Sequence, residues 1–149
     1  MDKLFYIIFV IFGGAAAAVQ APINAGLGKR IGVLETGLWS FSSGMVLLLV
    51  LTLLLGKGQF AAVLTAPKWQ LLGGVLGVIA VCSMIVSAPP LGVGLAMVCI
   101  LFGQITIAIV IDSLGLFGAE VVPLDYNRII GILLMFVGII FVYRSKLGV

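Results

Sequence analysis

Apolar residues fill five long runs, broken by short segments that carry most of the charge. The runs cover about residues 4–27, 34–55, 69–86, 91–112 and 128–144. At about 1.5 Å per residue each approaches or exceeds the ~30 Å of a bilayer core. The pattern predicts an all-α integral membrane protein: five transmembrane helices in a single domain spanning 1–149.

Composition agrees. The chain is 63% hydrophobic and 9% charged, with a mean hydropathy of +1.39. A soluble domain of this size cannot hide so much apolar surface. Twenty of the 149 residues are glycine, which suits helices packed closely in lipid. There is no histidine, so a His-based triad or His metal site is excluded, and no catalytic grouping, metal site or cofactor motif stands out. Cys82 and Cys99 lie in apolar helices and read as small filler. The start imitates a signal peptide, but Asp2 cancels Lys3 and the apolar run continues to about Leu27. A first transmembrane helix is the preferred reading. A pI near 9.1 comes from loop lysines and arginines and reads as topology, not nucleic-acid binding.

The few polar residues inside the runs are the candidate chemistry. Leu91 to Ile111 is apolar apart from Gln104 and Thr106. Gln104, Ala108 and Asp112 follow at i, i+4 and i+8 on one face. A carboxyl in a span costs about 2.5–3.5 kcal/mol at the centre on insertion scales, and less near an end. Asp112 is the candidate ion-coupling residue, for a proton or sodium. In span one Gln20 and Asn24 share a face, and Pro22 frees a backbone carbonyl and should kink the helix near Ala18. Two amides there either line a pathway or glue helices together. In span two Trp39 is an interfacial belt residue or a wall of the pathway. Ser40, Ser43 and Gly44 share a face that packs or lines. The candidate pathway set is Gln20, Asn24, Trp39, Ser43 and Gln104.

Gly73 and Gly77 form a GxxxG contact pattern, and Gly103, Gly131 and Gly138 are further candidate packing positions. Gly28 to Gly32 reads as a turn. Pro89-Pro90 reads as a tight connection between spans three and four. Asp125 or Asn127 can cap the last helix. Arg128 at its mouth snorkels to headgroups or meets a carboxylate, the snorkel being preferred.

These residues also carry a resemblance. Gln20-x3-Asn24-x3-Gly28, Ser40-Phe41-x2-Gly44 and Trp69-x3-Gly73-Gly74-x2-Gly77 come first. Pro90-Leu91-Gly92, Gly103-Gln104, Ile111-Asp112-x2-Gly115-x2-Gly118 and Arg128-x2-Gly131-x6-Gly138 follow. In this order and spacing the chain resembles the YdcZ-type branch of the drug/metabolite transporter superfamily, five-helix proteins of bacterial inner membranes. The resemblance implies transport of small metabolites or drugs by alternating access, with halves that pair antiparallel. The family position after the acid is often histidine; here it is Ser113.

The expected function is therefore a secondary transporter of a small polar or amphipathic metabolite, working as an antiparallel homodimer in the bilayer. A passive ion channel on the same plan and a non-transporting accessory subunit stay open as alternatives. With five spans, one side carries Lys3, Lys57, Lys68 and Arg128, and the other Lys29, Arg30, Arg144 and Lys146. The positive-inside rule then sets no orientation, and oppositely oriented copies can pair with the symmetry of an inverted repeat. Carboxy-terminal reporters active only in the cytoplasm and only in the periplasm should both give signal. Signal from one alone would remove the case for dual topology.

Overall fold

The computed structural model describes residues 3–147, which form five α-helices and no β-strand. These are α1 (Lys3–Ile31), α2 (Val33–Leu55), α3 (Gly73–Leu91), α4 (Val93–Leu114) and α5 (Tyr126–Leu147). All five are long and apolar enough to cross a membrane, the third with its lead-in turn from Lys68. The chain divides into two compact units, the first ending at Pro90 and the second beginning at Leu91.

Two boundaries differ from expectation. The turn expected from Gly28 to Gly32 is helix up to Ile31, and Gly32 alone makes the break, with φ 103°. Charge had suggested a loop at Lys29 and Arg30. Yet cations are favoured in a last helical turn, where the carbonyls present partial negative charge. Glu35 sits correspondingly in the first turn of α2. At Gly32 the positive φ favours glycine; a Cβ would in addition displace the flexible Glu35 carboxylate. Likewise Pro89 and Pro90 do not form the connection; they lie in the last turn of α3. Proline fixes φ near the helical value and removes only its own N–H bond, so one final turn survives it. The break is Gly92, φ 78°. Pro22 also lies within α1, which continues through it.

In the first unit α1 and α2 run antiparallel, Gly28 lying by Thr36 and Asn24 by Ser40. α2 and α3 are antiparallel too, Gly37 facing Cys82 and Phe41 facing Gly77. Glycines set these contacts by letting backbones approach. Thr36, at the α1–α2 contact, is fully buried and turns its hydroxyl back to the Gly32 carbonyl at 2.8 Å. Between α2 and α3 the chain makes 3-10 turns at Phe60–Thr65 and Lys68–Leu72.

In the second unit α4 and α5 are antiparallel. Phe102 meets Phe136 with ring centroids 6.0 Å apart, and Asp112 meets Arg128. Asp125 caps α5, its Oδ1 accepting the Arg128 backbone N–H at 2.9 Å. Most large apolar side chains face outward, such as Phe12, Leu53 and Phe141 at 74%, 77% and 68% exposure. Lipid, not a protein core, covers such a surface.

Of the candidate packing glycines, Gly77 meets Phe41, whereas a Cβ at Gly73, Gly103, Gly131 or Gly138 would meet nothing within 4 Å. Gly28 is tighter: a Cβ there would lie 2.7 Å from Ile85 Cγ2. Gly28→Val should therefore cost about 1–3 kcal/mol by overpacking. Gly14→Ala, where a Cβ meets nothing within 4 Å, should cost nothing. Denaturant melts of the solubilised protein by circular dichroism would measure both.

Candidate functional site

Hydroxyl groups in the spans mostly satisfy themselves. Ser43 donates to the Ser40 carbonyl, Ser83 to Ala80, Thr106 to Phe102 and Ser113 to Val110, at 2.8–3.1 Å. Such bonds to the preceding turn let a serine or threonine sit in hydrocarbon with no partner helix. Ser40 differs. Its Oγ accepts from Gln20 Nε2 at 3.4 Å and from Asn24 Nδ2 at 3.3 Å, both from α1. The i, i+4 spacing of the two amides places them one turn apart on the face that meets α2. Asn24 is buried and Gln20 exposed.

Above this node the first unit holds a crevice of about 900 Å³. Gln20 and Ser40 form its polar end. Its walls come mainly from one face of α2, with Met45, Leu48, Leu49 and Leu53 following in helical steps. Val81 of α3 and Phe60 of the 3-10 turn add to them. The volume falls within the ~300–1,000 Å³ common for small-molecule sites, which typically pair apolar walls with a few convergent polar groups.

The second unit carries an ion pair. Arg128 Nη1 lies 3.4 Å from Asp112 Oδ2, with the side chains 27% and 40% exposed. The snorkel expected of Arg128 is thus replaced by its alternative, the carboxylate. Antiparallel packing puts the first turn of α5 beside the last turn of α4, a juxtaposition that sequence spacing cannot reveal. The loop fixes Asp112 further. Val122 N–H donates to the Asp112 carbonyl at 3.0 Å, and Gly115 N–H to the same carbonyl at 3.4 Å. Gly115 turns left-handed at φ 62°, and a Cβ there would meet Val121 Cγ2 at 2.7 Å.

A family profile described as "Putative inner membrane exporter, YdcZ" matches residues 5–141. The chain belongs to the YdcZ family. No curated protein and no solved structure matches it. As a YdcZ protein with five spans, it is a multi-pass transporter of the inner membrane, and the family describes a transporter rather than an enzyme.

In this YdcZ chain the candidate residues fall into separate groups. Gln20 and Asn24 converge on Ser40. Trp39 is 66% exposed, and neither Trp39 nor Ser43 is among the described residues that line the crevice. Gln104 is exposed in the middle of α4. Asp112 is held by Arg128, and Ser113 is turned to its own helix. Sequence reasoning passed over Ser40 as a packing residue, although it is the shared acceptor. It also passed over the α2 face from Met45 to Leu53. Its helical spacing was legible, but an all-apolar run does not show which face lines a crevice and which meets lipid.

If the node ties α1 to α2, an Asn24→Leu/Ser40→Ala double-mutant cycle should show a coupling of about 0.6–1.7 kcal/mol, the range of interhelical bonds in membranes. Unfolding in mixed micelles measures it. A coupling of zero would leave the two side chains merely adjacent.

Proposed function

We propose that this YdcZ protein is a secondary transporter that moves a small polar or amphipathic metabolite outward by alternating access, as an antiparallel homodimer. The crevice of the first unit carries the reading. It is large enough for a metabolite, its walls are mostly apolar, and two of its polar groups, Gln20 and Ser40, meet at one end. In this reading the Gln20–Asn24–Ser40 node holds the polar group of the substrate and the α2 face holds its apolar part. The even division of charge between the two sides supports oppositely oriented copies. Gln104 is exposed on α4, and a Cβ at Gly103, Gly131 or Gly138 would meet nothing within 4 Å, so these positions are available to a second copy.

Asp112 is the proposed coupling group. A proton or sodium ion arriving at its carboxylate competes with Arg128 for the same charge. Neutralising the carboxylate removes its attraction for the guanidinium and frees the α4–α5 end. Ion binding is thereby linked to the packing of a helix pair, as coupled transport demands.

The test begins with metabolites that raise the thermal stability of the purified protein. Wild-type protein in liposomes should accumulate such a metabolite when a proton or sodium gradient is imposed. Asp112→Asn should lose gradient-driven accumulation and keep substrate exchange. Accumulation equal to wild type would make Asp112 structural, and flux without any response to a gradient would make the protein a passive channel.

A further inference from the structure

We infer that the crevice selects an uncharged amphipath, a molecule with a hydroxyl or carboxamide head and an unbranched or slender apolar body. This inference rests on the crevice being the substrate site and narrows what that site takes.

The first argument is charge. None of the eleven lining residues is ionisable. A charged head seated there would give up water for amide and hydroxyl dipoles alone, which costs far more than seating a neutral one. No carboxylate lines the crevice to meet a cation.

The second argument is the hydrogen-bond inventory at the polar end. A serine hydroxyl has two lone pairs and one proton. Gln20 and Asn24 each direct an N–H at Ser40 Oγ, so its accepting capacity is taken. What remains for a ligand is the Ser40 proton, the second Gln20 N–H and the Gln20 carbonyl, donors and an acceptor side by side. A hydroxyl or carboxamide complements both kinds; an ether or ketone satisfies only the donors, and a quaternary ammonium satisfies neither. The two existing bonds, at 3.3 and 3.4 Å, are longer than the ordinary ~2.7–3.2 Å, so an incoming head competes with them at little loss.

The third argument is shape. The lining face of α2 runs from Ser40 to Leu53, about 20 Å along the axis at 1.5 Å per residue. Gln20 and Ser40 lie at its start and Thr52 near its other end, with methionine and leucine between. A long groove with apolar walls between these ends fits an extended chain better than a compact polar metabolite.

The experiment uses the full chain in nanodiscs and five probes of one length: decanol, decanamide, decanoate, decyltrimethylammonium and decane. Binding is measured by titration calorimetry, with empty nanodiscs subtracted for partitioning into lipid. Decanol and decanamide should bind saturably, at least about tenfold tighter than either ion or the alkane. Gly44 lines the crevice, and a Cβ there meets nothing within 4 Å. Gly44→Leu should therefore fill the groove without strain and abolish saturable binding, with helix content unchanged. Leu48→Trp is a second filling variant should the first fail to fold. Ser40→Val should reduce the preference for decanol and decanamide over decane.

Equal or tighter binding of either ion would overturn the inference. So would no saturable binding by any probe, survival of binding in both filling variants, or a phospholipid held in the groove that decanol does not displace. Saturable binding of decanol without any movement across liposomes would sink the transporter reading and keep this one. Transport of a cation by a protein that ignores decanol would do the reverse.

Discussion

Hydrocarbon offers a polar group no water, so each must find its partner inside the protein, and this requirement shapes both units. Short side chains meet it within their own helix, as Ser43, Ser83, Thr106 and Ser113 do. Gln20 and Asn24 instead cross to Ser40 on the next helix, and Asp112 crosses to Arg128. Cross-helix polar links in lipid are worth only about 0.6–1.7 kcal/mol apiece. Their importance lies in register: once Asn24 faces Ser40, the approach of Gly28 to Thr36 and the pairing of the α1 and α2 faces follow.

Apolar surface does the complementary work. In lipid it drives no association, because acyl chains are as apolar as leucine. Close packing at glycine takes over, at Gly28 against Ile85, Gly37 against Cys82 and Gly77 against Phe41. The same indifference of leucine to its surroundings lets one face of α2 line a crevice without a change in composition. Under the proposed function, walls of that kind give a ligand room and little discrimination. Recognition then falls to the few hydrogen-bonding groups at the end of the groove, whose arrangement follows from the α1–α2 register.

The second unit applies the same economy of polar groups to a charge. Asp112 is held through its side chain by Arg128 and through its main chain by Val122 and Gly115. One residue thus joins the end of α4, the following loop and the start of α5. Proposed coupling acts where these three meet, so a change of one charge there bears on helix packing and not on a lone side chain.

Length and hydropathy by themselves determined the membrane class and the number of spans, because a 1.5 Å rise against a fixed bilayer thickness leaves little choice. The order of polar and glycine positions along the whole chain determined the family. Helix ends were less legible. Lys29 and Arg30 looked like loop and are helix, since a last turn welcomes cations; Pro89 and Pro90 looked like a turn and close a helix, since proline keeps a helical φ. Only the tertiary structure decided that Ser40 is the acceptor for both amides, that Arg128 meets Asp112, and which apolar face of α2 borders the crevice. Those facts depend on contacts between residues 16 or more positions apart, and local sequence pattern holds no information about the register in which two helices meet.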